Sequence, residues 1–129
     1  LQQAEQSPRA EGAPIQWLCQ DITSPEFIPM VKKVRPGFRV LISDMAPRTT
    51  GNKWADAQQS LNLVYTSLEI AEELLLKNGN YICKVFQGED FPDFVQEVKK
   101  KFTMVKVLKP KSSRIESREV FVLGTGYKK

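Results

Sequence analysis

The sequence has no histidine, and this absence restricts the acid–base chemistry that the protein can perform. Histidine is the side chain whose ordinary pKa lies between about pH 5 and pH 8. Proton transfer near neutral pH must therefore use lysine, a carboxylate, tyrosine, cysteine or solvent. Long apolar runs are also missing, since none approaches the roughly 20 residues that a helix needs to span a bilayer. No secretory signal is visible at the start. We predict neither a membrane segment nor a metal site.

Cysteine is scarce, with Cys19 and Cys83 the two examples. Both fall inside predicted strands, which favours buried free thiols in a reducing compartment over a disulfide. The chain has 129 residues, of which 41% are hydrophobic and 26% are charged. These values are ordinary for one soluble globular domain. We therefore expect a single cytoplasmic domain with a genuine hydrophobic core.

The net charge of +4 is spread unevenly along the chain. Residues 99–129 contain ten Lys or Arg and two Glu, a local balance of +8, whereas the preceding part is slightly acidic. One basic end on an otherwise mixed chain favours a polyanionic partner such as RNA or DNA. A merely soluble surface explains the same charge equally well, so charge alone leaves both interpretations open.

Hydrophobic periodicity and turn residues predict alternating strands and helices after a polar start. Residues 1–14 are polar and punctuated by Pro and Gly, which predicts a loop or linker. Ser24 and Pro25 suit the start of a helix. Asn78-Gly79 suits the end of a long one, in which apolar residues recur at steps of four and three. The predicted strands are 15–20, 39–43, 80–86, 103–108 and 119–127, and the predicted helices are 25–34, 54–77 and 91–102.

The order of these elements predicts an α/β fold. Strands that alternate with helices through short links form a parallel sheet with helices on its faces. The last connection differs, because residues 109–118, KPKSSRIESR, are too short and polar for a crossover helix. The final strand should therefore return antiparallel to the others.

Four ionisable residues from distant segments are predicted to meet at one edge of this sheet. Asp21 and Asp44 end the first two predicted strands, Lys84 lies late in the third, and Glu119 begins the antiparallel strand. Ligands of open parallel sheets bind beyond the carboxyl ends of the strands, which is the edge in question. Each residue alone has a structural explanation as a helix cap, a turn residue, a snorkelling lysine or a surface charge. Their shared placement favours a binding or catalytic site.

Three segments resemble the FtsJ family of S-adenosylmethionine-dependent RNA ribose 2′-O-methyltransferases, and in particular its bacterial branch that acts on large-subunit ribosomal RNA. They are SDMAPRTTGN, KVFQGEDF and KPKSSRIESREVFVLGTG, at residues 43–52, 84–91 and 109–126. The resemblance runs over nearly the whole chain. It implies a Rossmann-like methyltransferase fold and S-adenosylmethionine as the methyl donor.

The resemblance also implies the roles of individual residues. The family uses a tetrad of Lys, Asp, Lys and Glu, of which Asp44, Lys84 and Glu119 match the last three. Asp44 is also implied beside the methionine part of the cofactor, and Asp21 as the acceptor for its adenine amino group. Lys84 would orient or deprotonate the ribose hydroxyl, and deprotonation would require a lowered pKa.

The sequence departs from the family pattern in its first part. The glycine-rich cofactor motif, the first lysine of the tetrad and the acidic residue for the cofactor ribose are absent. We therefore expect residues 1–129 to be the C-terminal part of a single methyltransferase domain that lacks the first two strands of the sheet and is inactive by itself. The missing strands predict a gap of roughly 14 Å in the sheet and an exposed apolar strand edge.

Basic residues near the expected site predict contacts with an RNA backbone. The expected partner is ribosomal RNA or a ribosomal subunit. A non-catalytic RNA-binding or interaction module derived from the family is the alternative, because the cofactor motif is absent. Trp54 could stack on a base, although packing explains it as well. The predicted RNA contacts are Arg48, Lys53, Lys109, Lys111, Arg114 and Arg118.

Overall fold

A computed structural model of the chain describes residues 15–47, 49–110 and 118–129. None of the helices in these ranges combines the length and apolar character needed to cross a membrane. In chain order, the elements are α1 (Phe27–Val34), β1 (Phe38–Ser43), α2 (Lys53–Leu74), β2 (Leu75–Phe86), α3 (Phe91–Lys101), β3 (Phe102–Leu108) and β4 (Glu119–Tyr127).

The four strands form one mixed sheet in the order β1-β2-β4-β3. Strands β1 and β2 pair in parallel, whereas β4 pairs antiparallel with both β2 and β3. Strands β1, β2 and β3 therefore run in one direction, and β4 runs against them. This confirms the predicted α/β fold with a parallel sheet and an antiparallel last strand.

The core lies between the sheet and helices α2 and α3. Side chains alternate between the two faces of a strand, and Tyr81, Cys83 and Val85 of β2 all have no exposed surface. They belong to one apolar cluster with side chains such as Val64 of α2 and Phe94 of α3, which are also fully buried. Burial of each such side chain stabilises the fold by about 1.5–3 kcal/mol. This alternation places Lys84 on the opposite face of the sheet.

The predicted first strand, residues 15–20, is wrong. This segment has no regular secondary structure and no strand partner among the described residues, and a strand persists only where a neighbour satisfies its backbone N–H and C=O groups. Its side chains are largely exposed, including Cys19, which we expected to be buried. Cys83 is buried as predicted, and both thiols are free.

Two predicted helix boundaries also differ from the structure. Helix α1 begins at Phe27, because Ser24 and Glu26 bond to each other in a preceding turn. Helix α2 ends at Leu74, before the predicted stop at Asn78-Gly79, because the fully buried Leu75 already adopts an extended backbone. Asn78 instead has a φ of 68° within a bulge of β2, where the register to β1 shifts.

Strand β1 forms one edge of the described sheet. Its Val40 and Ile42 side chains are 53% and 71% exposed, which is unusual for β-branched residues in a strand. The predicted exposed apolar edge is therefore present. Such an edge offers unpaired backbone groups to another strand.

Candidate active site

The strand ends bring three ionisable side chains together at one edge of the sheet. Asp44 directly follows β1, and Lys84 lies two residues before the end of β2. Glu119 is the first residue of β4, where it pairs with Phe86. Because β4 runs antiparallel to β2, its beginning lies beside the carboxyl end of β2. The sheet topology alone thus places these three residues at the same edge.

Lys84 lies between the two carboxylates. Its Nζ atom is 2.8 Å from Oδ1 of Asp44 and 3.8 Å from Oε2 of Glu119. The Lys84 side chain is 18% exposed, whereas those of Asp44 and Glu119 are 72% and 41% exposed. An ammonium group that is mostly covered, with two carboxylates open to solvent beside it, can present a charged hydrogen-bond donor to an incoming hydroxyl.

The electrostatics of this cluster hold Lys84 in its protonated form. The hydrogen bond to Asp44 raises the pKa of Lys84 most, partial burial lowers it, and the negative charges of Asp44 and Glu119 raise it further. The pKa lies above the ordinary value of 10.5, so Lys84 is an ammonium at neutral pH. A lysine in this state orients an oxygen through hydrogen bonds but cannot accept a proton.

Asp21 is not part of the Lys84 cluster. Its Oδ1 accepts hydrogen bonds from the backbone N–H of Thr23 at 2.9 Å and from the Thr23 hydroxyl at 2.7 Å. These bonds lower the pKa of Asp21 and form a local turn before α1. The adjacent Ile22 nevertheless lines the same cleft as Asp44, so Asp21 lies next to that cleft along the chain.

The cleft lies beside β1 and has a volume of about 370 Å³. Its lining is mainly apolar, with Asp44 as its one charged residue among the described residues. The hydroxyl of Ser43 is buried there and has no hydrogen-bond partner within the described ranges. The lining residues are Ile22, Phe27, Val31, Phe38, Val40, Leu41, Ile42, Ser43, Asp44, Met45, Ser67, Ile70 and Leu74.

The loop after Asp44 is held by the start of α2. Asp56, which is 4% exposed, accepts hydrogen bonds from the backbone N–H and the hydroxyl of Thr50, both at 2.8 Å. These bonds lower the pKa of Asp56, the Thr50 N–H most strongly. Asn52 caps α2 by accepting from the N–H of Ala55. Asp56 was not among the residues predicted for the site, although a carboxylate in a first helical turn is a recognised signal.

The described basic residues near the site differ in their surroundings. Lys53 and Lys109 are exposed, at the start of α2 and just after β3. The guanidinium group of Arg118 donates hydrogen bonds to two backbone carbonyl oxygens, those of Lys53 at 3.1 Å and Gln87 at 3.4 Å. The other predicted RNA contacts, Arg48, Lys111 and Arg114, lie outside the described residues.

Comparison with known proteins gives closely similar relatives. The chain is 67% identical over all 129 residues to a ribosomal RNA large subunit methyltransferase E of Desulfotalea psychrophila. It is 43% identical over 105 residues, 81% of its length, to a protein of the same name from Nitratidesulfovibrio vulgaris. The chain spans 64% of the first relative and 51% of the second.

A solved structure supports the fold. The crystal structure of a protein from Plasmodium falciparum described as a ribosomal RNA methyltransferase superposes with a TM-score of 0.69 at 24% identity. The match covers 84% of this chain and 57% of the other. The family model for FtsJ-like methyltransferases matches residues 2–127. Since this match covers nearly the whole chain, the chain belongs to the FtsJ-like methyltransferase family.

Proposed function

We propose that this chain carries the catalytic residues of an enzyme that methylates a ribose 2′-hydroxyl of large-subunit ribosomal RNA. The observation that supports this most is the position of Lys84 between Asp44 and Glu119 in a member of the FtsJ-like family. Because the chain spans 64% of its Desulfotalea relative, activity, substrate and partner all belong to the proposal. The same proposal places the enzyme in the cytoplasm with the ribosomal RNA.

The three side chains would act mainly by positioning. A ribose hydroxyl is a weak nucleophile, and reaction requires its oxygen to lie in line with the methyl carbon and the leaving sulfur. The Lys84 ammonium would donate a hydrogen bond to that oxygen, while Asp44 and Glu119 fix the ammonium. The hydroxyl proton would leave as the oxygen–carbon bond forms, and it would go to a carboxylate or to water because Lys84 already carries its proton.

The raised pKa of Lys84 argues against a general base in the arrangement described here. A lysine becomes a base near neutral pH only where burial or a neighbouring cation lowers its pKa. Both described neighbours are anions, so the deprotonating role would need an additional positive charge close to the amino group. We therefore assign the orienting role to Lys84.

S-adenosylmethionine is the proposed cofactor, and it would supply an activated methyl group. The residues present fit it in part, because the exposed carboxylate of Asp44 borders the cleft and the Ser43 hydroxyl in the cleft has no described partner. Asp44 would hold the methionine end, and Asp21 would accept from the adenine amino group. The glycine-rich motif that the resemblance implies is not among these residues.

The RNA would approach over the basic residues beside the site. We propose that Lys53 and Lys109 contact phosphates, because both are exposed and flank the sheet edge that carries Glu119. Trp54 is 63% exposed next to Lys53 and would offer a surface on which a base can stack. Arg48, Lys111 and Arg114 belong to the same prediction.

Methyl transfer by the complete gene product tests the proposal. The protein would be incubated with labelled S-adenosylmethionine and large-subunit RNA that lacks its modifications, and the nucleosides would be identified by mass spectrometry. We expect a 2′-O-methylated nucleoside, and a rate about 10²–10⁴-fold lower for Lys84→Ala. Lys77→Ala, which removes an exposed positive charge from the opposite end of β2, is the control.

Two results would overturn the proposal. A methyl group on a base would contradict the assigned reaction. RNA binding without methyl transfer by the complete gene product would favour the alternative, a non-catalytic RNA-binding module.

A further inference from the structure

Arg118 joins three chain segments at the candidate site. Its guanidinium group donates from Nη2 to the carbonyl oxygen of Lys53 and from Nη1 to that of Gln87. Its own carbonyl oxygen accepts a hydrogen bond from the N–H of Gln87 at 2.8 Å. The guanidinium also lies over the ring of Phe86, with its carbon 5.9 Å from the ring centre. Arg118 is thus held by contacts on both its backbone and its side chain.

Each of these segments leads to one of the proposed catalytic residues. Gln87 lies three residues after Lys84 and directly follows the end of the same strand. Lys53 starts α2, directly after the loop that begins at Asp44. Arg118 immediately precedes Glu119. One planar group therefore connects the end of β2, which carries Lys84, to the start of α2, and it does so from the residue next to Glu119.

We propose that Arg118 is a positioning residue for the methyl transfer, and not a phosphate contact as its sequence context suggested. This inference depends on the proposed function. The guanidinium has five N–H donors in a rigid fork, and two of them are directed at carbonyl oxygens of different segments. A displacement of reacting groups by about 1 Å can cost about 100-fold in rate, so loosening these contacts should slow catalysis without a change in RNA affinity.

The surroundings of Arg118 favour this role over RNA binding. Arg118 is partly buried, and one face of its guanidinium is directed at the Phe86 ring. The pKa of Asp56 is lowered mainly by the N–H of Thr50 and least by the charge of Arg118. Asp56 in turn holds Thr50 in the loop after Asp44. A phosphate would have to compete with these intramolecular partners. Lys53 and Lys109 at the same edge are more exposed than Arg118.

The shape of the guanidinium also predicts that lysine will not fully replace Arg118. Lysine keeps the positive charge of Arg118, but its compact ammonium cannot reach two carbonyl oxygens and stack on a ring at the same time. If Arg118 bound a phosphate through its charge, Arg118→Lys should keep the RNA affinity. If Arg118 positions the backbone through its planar group, Arg118→Lys should keep only part of the catalytic rate.

Kinetics and RNA binding of the complete gene product separate the two roles. For Arg118→Ala we expect kcat to fall about 10–100-fold while KM and Kd for large-subunit RNA stay within about twofold of the wild-type values. Arg118→Lys should recover only part of kcat. Lys77→Ala removes the same charge from the far end of β2 and should change none of these values.

The opposite pattern would overturn the inference. If Arg118→Ala raises Kd for RNA about tenfold with kcat unchanged at saturating RNA, and Arg118→Lys restores the affinity, then Arg118 is a phosphate contact. If neither quantity changes, Arg118 has no role in the reaction. Urea unfolding of each variant would confirm that the assayed protein is folded, and Arg118→Lys keeps the test decisive should Arg118→Ala fail to fold.

A measurement that needs no activity distinguishes failure of this inference from failure of the proposed function. Amide hydrogen exchange at Gln87 reports on the end of β2 directly, because its N–H donates to the Arg118 carbonyl. If the wild-type protein transfers no methyl group, the proposed function fails. Faster exchange at Gln87 in Arg118→Ala, by about tenfold or more and with Lys77→Ala unchanged, would still show that Arg118 holds the end of β2 in place. Unchanged exchange would refute it.

Discussion

Replacement of Lys84 by methionine should affect activity far more than stability. The side chain keeps a similar length, so its packing stem is retained. The two lost ion pairs involve carboxylates that are 72% and 41% exposed, and exposed pairs contribute about 0–1 kcal/mol each. We therefore expect the free energy of unfolding to fall by at most about 2 kcal/mol. Loss of the orienting group should slow methyl transfer by about 10²–10⁴-fold, equivalent to about 3–5 kcal/mol.

Urea unfolding followed by circular dichroism gives the first quantity, and single-turnover methyl transfer by the complete gene product gives the second. The matched control is Lys101→Met, because Lys101 is 2.9 Å from Glu72 in an ion pair of similar exposure. This control should lose about 0–1 kcal/mol of stability with its one ion pair to Glu72, and it should keep its single-turnover rate. The assignment would be refuted if Lys84→Met lost more than about 3 kcal/mol of stability while it remained active, since that pattern belongs to a structural ion pair.

The pH dependence of stability provides a second check on Lys84. Its pKa is raised in the folded state above the ordinary value of 10.5. The stability that this shift contributes is fully present below about pH 10 and is lost as the pH rises through the folded-state pKa. The difference in stability between wild type and Lys84→Met should therefore shrink on the alkaline side, and a constant difference would contradict the ion-pair geometry.

Three further predictions concern the fold and the cofactor. In Gly124→Ala, the new Cβ would lie 2.8 Å from Cγ of the buried Phe102 ring, so urea unfolding should show a loss of about 1–3 kcal/mol, whereas unchanged stability would contradict this packing. Asp56→Asn should lower the melting temperature at neutral pH. The stability that the Asp56 carboxylate contributes is fully present above pH 3.8, so the difference from wild type should disappear as the pH falls below 3.8 through the lowered pKa of Asp56. Calorimetry of the 129-residue chain with S-adenosylmethionine should give no micromolar binding, and clear micromolar heat would show that these residues suffice for the cofactor.

The sequence predicted the sheet well because its strands are defined by local patterns. The position of β2 follows from the alternation of buried residues around Tyr81 and Val85. The antiparallel return of β4 follows from the short polar link before Glu119. The meeting of Asp44, Lys84 and Glu119 followed from the same topology, since Lys84 interrupts an apolar strand near its carboxyl end. The strand positions depend on residues close in sequence. The location of the site depends on a general rule, that ligands of open parallel sheets bind beyond the carboxyl ends of the strands.

The errors arose where long-range contacts decide the conformation. Residues 15–20 have the composition of a strand but lack a described neighbour to pair with. Asn78-Gly79 is a common helix stop, but α2 ends earlier because Leu75 is buried in the core with an extended backbone. The contacts of Arg118 link residues 31 and 65 positions away, so its basic character suggested a phosphate contact and concealed its intramolecular partners.

The insertion of β4 between β2 and β3 has a consequence for how the protein is made. Strand β3 leaves the ribosome first, but it has no place beside β2 until β4 has been synthesised and has paired with both. Translation at about 5–20 residues per second delays this by roughly 1–4 s. Glu119 arrives with β4, so a nascent chain can bring Lys84 to Asp44 but cannot complete the trio. The trio proposed to be catalytic is therefore complete only after β4 has been made and has paired with β2.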